Sequence, residues 1–295
     1  MEVLGQETGF PYIPAPVFRS PGGTPYLTTP GVHLLAKPQI SLNNVGEFLG
    51  GYSPALGFSA YLEDPTPLPP GTQLCKVAGQ LCYMSFGPKR TPNAQAEKYF
   101  ANIKESGHGS VLEHATFSFL FYGISRSVTH ELVRHRAGFA FSQVSQRYVS
   151  GQVLRFVERP EYACDEELHA FFLDRIDRAA KEYAELTEAL LRRQKEGTAI
   201  LSADARTDLR KKVQQAARSL LPNETEAPIV VTANARAWRH FIEMRASEHA
   251  ELEIRALAFR TYLCLNAADP YLFGDYTIIE LPDGTHAVQT QWPKV

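Results

Sequence analysis

Apolar side chains recur at three- and four-residue intervals after residue 165. Leu168, Phe171, Phe172, Ile176, Tyr183, Leu186 and Leu190 fall on one stripe, which predicts an amphipathic helix from Asp165 to about Gly197. Such a stripe belongs to helix packing, within the chain or between subunits. A second helix is predicted from about Ala203 to Leu220, stopped at Pro222, and helical spacing resumes from Asn234 to about Ala267 before Asp269-Pro270. Shorter helices are predicted from Ala94 to Glu105, closed by Ser106-Gly107, and from Ile124 to about Arg136. Aromatic and β-branched alternation predicts strands at Ala115–Tyr122 and Ile229–Val231, with extended chain from Tyr148 to Phe156. Residues 1 to about 72 are rich in Pro and Gly and end in Pro65-Thr66-Pro67-Leu68-Pro69-Pro70-Gly71, so an irregular N-terminal extension is predicted, followed by one domain over 73–295. Few strands among several long helices predict an α+β fold, a central sheet flanked by long helices.

Composition narrows the functional classes. A net charge of -2 across 295 residues gives no basic footprint for nucleic acid. Cys75, Cys82, Cys164 and Cys264 match neither a redox pair nor a zinc ribbon, so free thiols are expected. No basic-then-apolar leader opens the sequence and no apolar run is long enough to span a bilayer, so a soluble, cytoplasmic protein is expected, without a membrane partner.

No GxGxxG follows a predicted strand and no P-loop motif occurs, so phosphates would have to be held by side chains. His130-Glu131-Leu132-Val133-Arg134-His135 imitates a zinc motif, but its second histidine comes five positions after the first, about 140° away on an ideal helix. No metal is therefore expected. Glu248, His249, Glu251 and Glu253, predicted on a helix among Arg245 and Arg255, read as a solvated or salt-bridged face.

The densest chemistry lies in the run RHRAGFAFSQVSQRY. Arg134, His135 and Arg136 are followed after eight residues by Ser145, Gln146 and Arg147. On a predicted helix Glu131, Arg134 and His135 share a face while Arg136 projects elsewhere, so one segment can address two ligands. The guanidinium fork matches phosphate and pyrophosphate. By chemistry alone the cluster fits an anion pocket or an ordinary solvated basic face.

Arg134-His135-Arg136 with downstream Ser145-x-Arg147 resembles the signature of the flavin-dependent thymidylate synthases. Gly107-His108-Gly109-Ser110-Val111-Leu112-Glu113-His114 is similar to that family's GHxSxxEH element, and Arg218-Ser219-Leu220-Leu221-Pro222, Asn234-Ala235-Arg236, Arg245 and Glu251–Arg255 follow in its order. The likeness covers about Cys75 to Arg255. One departure is the eight-residue spacer before Ser145, where seven is more usual; Gly138 could accommodate the extra residue in a bulge.

The resemblance implies an FAD enzyme that methylates dUMP to dTMP with methylenetetrahydrofolate as carbon donor and NADPH as reductant, and that uses no cysteine nucleophile. It implies FAD contacts from Ser110, Arg134, His135, Arg136, Gln143, Asn234, Arg236 and His240, with His108 on the folate side of the flavin. It implies dUMP contacts from Glu131, Arg134, Gln143, Ser145, Gln146, Arg147, Arg218 and Arg245, and a homotetramer with active sites between subunits. Arg245 is the expected catalytic residue, its guanidinium opposing charge on the uracil ring. The plain alternatives are a cap for Ser110, dipole compensation for Arg218, and an ion pair of Arg245 with Glu243 or Glu248.

Overall fold

Phe117, Phe119 and Phe121 alternate with more polar neighbours in the Thr116–Tyr122 strand, so one face of that strand is apolar and is buried almost completely. Each such phenyl ring contributes about 1.5–3 kcal/mol on leaving water. In the computed structural model, which describes residues 4–148, 154–195 and 206–295, this strand lies inside a six-stranded sheet. The spatial order is Gly5–Glu7, Phe10–Ile13, Gly31–Ala36, Thr116–Tyr122, Ile229–Asn234 and Phe139–Gln143, and every neighbouring pair is antiparallel. Helices pack on the apolar face: Leu252–Ala268 lies against the Phe10–Ile13 and Gly31–Ala36 strands, and Ala235–Arg245 lies near the other edge. Trp238 meets the rings of Phe119 and Phe139 edge-on at 5.2 Å, and its indole N–H donates to the Phe117 carbonyl at 3.2 Å. The mixed α+β class is as expected.

Several element boundaries differ from the expectation. Residues 4–72 are not irregular throughout: they supply three strands of the central sheet and short helices at Val45–Gly50 and Ser59–Leu62. The strands Phe10–Ile13 and Gly31–Ala36 are too short to stand out among prolines and glycines, and they persist because Ile13, Val32 and Leu34 are covered by the core. Pro70 then starts a helix to Cys82 rather than ending a loop, because its missing N–H is not needed in a first turn.

The predicted helix to Arg136 stops at Leu132. Beyond that buried leucine Val133, Arg134 and Arg136 are exposed and only His135 is half-buried, so further helical turns would add little burial; single turns from Glu131 to Arg134 and from Leu132 to His135 take over. The continuous helix expected from Asn234 to Ala267 breaks at Ala246–Ala250. The Arg255 guanidinium takes up the freed carbonyls of Glu248 and Ala250, Val288 N–H donates to Ala246, and Glu251 caps the second helix. Glu248 and His249 are therefore in a turn, and Glu253 is buried.

The Ile229 strand runs on to Asn234, and the Tyr148–Phe156 reading survives only as the strand Phe156–Val157, with 149–153 outside the described residues. The long helix spans Glu166–Lys195, led by Asp165, whose Oδ1 accepts from the N–H groups of Glu167 and Leu168. Of its stripe, Phe172, Ile176 and Tyr183 are buried, whereas Leu168 and Phe171 are exposed. The following helix is described over Arg206–Ala217 and continues as a tighter turn at Arg218–Leu220. Among the described residues no helix is long and apolar enough to cross a membrane.

Ser125 links the sheet to the helix Arg126–Leu132. Its hydroxyl accepts from Val128 N–H as an N-cap and donates to Glu253, while its own N–H donates to the other Glu253 oxygen at 2.7 Å. Ser125→Ala removes both hydroxyl contacts and is expected to cost about 1–3 kcal/mol. Denaturant unfolding checks this, and a change below about 0.5 kcal/mol would show the cap to be dispensable.

Candidate active site

Asn234 ends the Ile229–Asn234 strand and begins the helix Ala235–Arg245, its Oδ1 accepting from Ala237 N–H at 2.9 Å. The cap fixes the directions of the three site residues that follow. Arg236 and His240 lie four residues apart on one face, and Arg245 stands nine residues from Arg236, about 180° round on ideal geometry. The helix thus carries two functional faces.

The first face borders a cavity of about 630 Å³ lined by Asn234, Arg236, His240, Gly138, Glu113 and Glu243, among others. Gly138 has φ +76°, and a Cβ there would come within 3.0 Å of both the Asn234 amide nitrogen and the Ala237 methyl, so the backbone approaches as closely as a glycine permits. The Arg136–Phe139 turn, closed by Phe139 N–H to Arg136 C=O, absorbs this part of the chain, and the following strand pairs Phe139 to Gln143 with Ala233 to Ile229 without a shift. The bulge anticipated at Gly138 is therefore a turn outside the ladder. Arg236 is paired with Glu113 at 2.6 Å. Donors of this kind around a close-approaching backbone fit an anionic nucleotide cofactor such as FAD.

On the second face, Arg245 Nη1 donates to Glu131 at 2.8 Å and Nε donates to His135 Nε2 at 3.1 Å. Neither Glu243 nor Glu248 takes this guanidinium; Glu248 lies beside His249. Glu131 and His135 come together although His135 lies beyond the helix, because the turns after Leu132 stay tight. The His135 ring also packs against Phe241 at 5.3 Å and His240 at 5.8 Å, joining the two faces. Burial first, then the neighbouring Arg245 and His240, push its pKa down to about 4, so the imidazole is neutral and can accept from Arg245.

The remaining predicted residues fall around this centre without all meeting in the single chain. His108 and Ser110 line a separate cavity of about 480 Å³ with Gln80, Tyr99 and Asn102. Gly109 between them abuts Arg236, since a Cβ there would lie 2.7 Å from its Nε, so the two cavities are neighbours. Arg134 and Arg136 are exposed and have no ion pair among the described residues. Gln143 ends its strand; the Ser145 hydroxyl accepts from Arg147 N–H at 3.3 Å; Gln146 lines a cavity of about 470 Å³ with Arg19, Arg155 and Leu221. Arg147 lies 5.6 Å from the Tyr148 ring. None of these contacts Arg245.

Arg218 has a neighbour that motif reading missed. Arg126, at the start of its helix, has its pKa held down by burial and by Arg218, so the two guanidiniums are close enough to repel. Its only sequence signal was a basic residue at the first position of a helix, where the dipole disfavours one. Cys75 and Cys264 are buried, with burial pushing each thiol up to about 12, and Cys82 and Cys164 are free and exposed. Among the described residues no group of three or more His, Cys, Asp and Glu could hold a metal ion.

A family described as thymidylate synthase complementing protein matches residues 66–271, a span that includes both faces of the Ala235–Arg245 helix and the Glu131–His135 turn. The chain belongs to this family. Its relatives include the flavin-dependent thymidylate synthase of Mycobacterium sp. (strain JLS), 47% identical over 225 residues that cover 75% of this chain and 85% of that protein. Those of Mycolicibacterium vanbaalenii and Mycobacterium tuberculosis (strain ATCC 25177 / H37Ra) are 46% and 45% identical, each over 73% of this chain and 83% of the relative.

The depressed His135 value has a consequence for stability. An unfolded chain binds a proton at this position between pH 6.5 and 4 that the folded chain refuses, so stability falls with acidification across that window and His135 contributes nothing above it. His135→Gln is expected to lose less Tm than the wild type between about pH 7 and about pH 5. Parallel losses in thermal melts would place the acid sensitivity elsewhere.

Proposed function

We infer that this chain catalyses the flavin-dependent conversion of dUMP to dTMP, with methylenetetrahydrofolate as carbon donor and NADPH as reductant. The observation that carries the reading is the clamp of Arg245 between Glu131 and His135, beside a cavity lined by Asn234, Arg236 and His240, within a chain of this family. When bound, FAD would supply the redox chemistry of the reaction. Asn234, Arg236 and His240 hold it from one helix face, with Ser110, Arg134, His135, Arg136 and Gln143 completing the FAD set and His108 on the folate side.

Arg245 faces the uracil ring and opposes the negative charge that develops on it as C5 attacks the carbon donor. Neutral His135 and the Glu131 carboxylate hold that guanidinium by two of its N–H edges, so its direction is set before substrate arrives. Arg218, Ser145, Gln146 and Arg147 take the 5′-phosphate, and Arg126 joins Arg218 there because an anion between them relieves their repulsion. The cysteines stay out of the chemistry, two of them buried as thiols.

We also place the active site between subunits of a homotetramer in the cytoplasm. The support is physical: Arg134, Arg136 and Arg147 are exposed in the single chain, as are Leu168 and Phe171 near the start of the long helix.

Purified protein is expected to show a flavin spectrum that NADPH bleaches, and to form dTMP from dUMP when the folate is added. A colourless protein that binds no FAD would overturn the reading. Arg245→Ala is expected to lower kcat by about 100-fold or more, whereas a protein with all four cysteines changed to alanine keeps turnover if it folds. An Arg245→Ala enzyme within a few-fold of wild type, or a folded cysteine-free enzyme without activity, would contradict these roles.

A further inference from the structure

The cavity beside Asn234 and Arg236 has one wall outside the span 66–271 matched by the family. It comes from Thr290-Gln291-Trp292-Pro293-Lys294-Val295, which follows the antiparallel hairpin of Thr277–Glu280 and His286–Gln289. This segment is tied down before it reaches the cavity. Thr290 donates to Asp275 at 2.6 Å, and the same carboxylate holds the buried Arg239 at 2.6 Å and Lys104 at 2.5 Å. The Lys104 ammonium also lies 5.6 Å from the Trp292 ring. Pro293 restricts the backbone, and Val295 is buried in the core, so Lys294 is carried on a fixed stretch at the cavity rim.

Lys294 is exposed and makes no ion pair or hydrogen bond among the described residues; it acts through space on Glu243, whose carboxyl is raised by burial and pulled back by Arg239 and Lys294. The cavity wall therefore presents the Lys294 ammonium, a guanidinium already paired with Glu113, the His240 imidazole and the part-buried Glu243 carboxyl on which Lys294 acts. A compact cation with no hydrogen bond or close ion pair of its own among the described residues, held at the mouth of a nucleotide-sized cavity, matches an anionic ligand. We propose that Lys294 is a cofactor-binding residue that faces the diphosphate of FAD, and that the Thr290–Asp275 anchor exists to present it. This rests on the flavin reading above and assigns the cavity a second source of charge, from outside the signature motifs.

The test is fluorescence titration of the apoprotein with FAD, at low and at high salt, for the wild type, Lys294→Ala and Lys294→Arg. At low salt Lys294→Ala is expected to weaken binding by about three- to tenfold, the scale of a single partly exposed charge pair. The difference closes at high salt, and Lys294→Arg recovers most of the affinity. Equal wild-type and Lys294→Ala affinities at low salt would overturn the assignment, as would a loss that persists unchanged at high salt, since packing and not charge would then be responsible. A wild-type chain that binds no FAD would overturn the flavin reading and this inference with it.

Discussion

The pairing of Ile229–Asn234 between two other strands is the constraint from which the site follows. Phe119 and Phe141 both oppose Val231, so the strand is fixed in register on each side, and a slip of one residue would turn its buried positions outward. Asn234 closes the strand and caps the next helix in one step. The directions of Arg236, His240 and Arg245 are consequences of where that strand ends. The same pairing brings Gly138, just before the partner strand, against Asn234. The cavity beside Asn234 and the Arg245 clamp thus share a single rigid reference.

Electrostatics then decides which groups can act. Had His135 been protonated, it would have faced Arg245 and the protein would have to hold two cations in contact; burial and those neighbours keep it neutral and turn it into an acceptor. Glu131 supplies the compensating charge on the other side. Arg126 and Arg218 have no such compensation from one another, and an anion bound between them would relieve their mutual repulsion. The two arrangements differ in that Arg245 is held by partners on the protein, whereas Arg126 and Arg218 face one another.

Much of the site chemistry was legible because it is written in contiguous residues. Glu131 and His135 were expected to share a face, and they do converge on Arg245, though through a turn and not the expected helix. Propensity and spacing allow a helix through Val133-Arg134-His135-Arg136, but three of these four residues are exposed and the half-buried His135 reaches Phe241 from a turn. The break at Ala246 was hidden for the converse reason, because the Arg255 guanidinium supplies from nine residues on what the helix would have supplied locally. Arg126 and Lys294 were illegible as site residues, since each gains its meaning from elements distant in sequence: Arg126 from Arg218, Lys294 from a cavity built around residue 236. The early strands were lost among prolines and glycines, their burial being set by the Leu252–Ala268 helix some two hundred residues later.

The Ala235–Arg245 helix turns Arg236 and Arg245 to opposite sides, and His135 spans the gap with one ring edge toward His240 and one nitrogen toward Arg245. A ligand on the first face and a ligand on the second are therefore separated by the helix itself, except where His135 joins them. Arg134 and Arg136, flanking that histidine, project into solvent on the same chain. Two reacting molecules can meet at such a place if walls are added around His135 from outside the chain, and an exposed guanidinium on either side is what a second subunit bearing its own ligands would need. The exposed Leu168 and Phe171 provide the apolar area through which such an assembly could be held without disturbing the clamp.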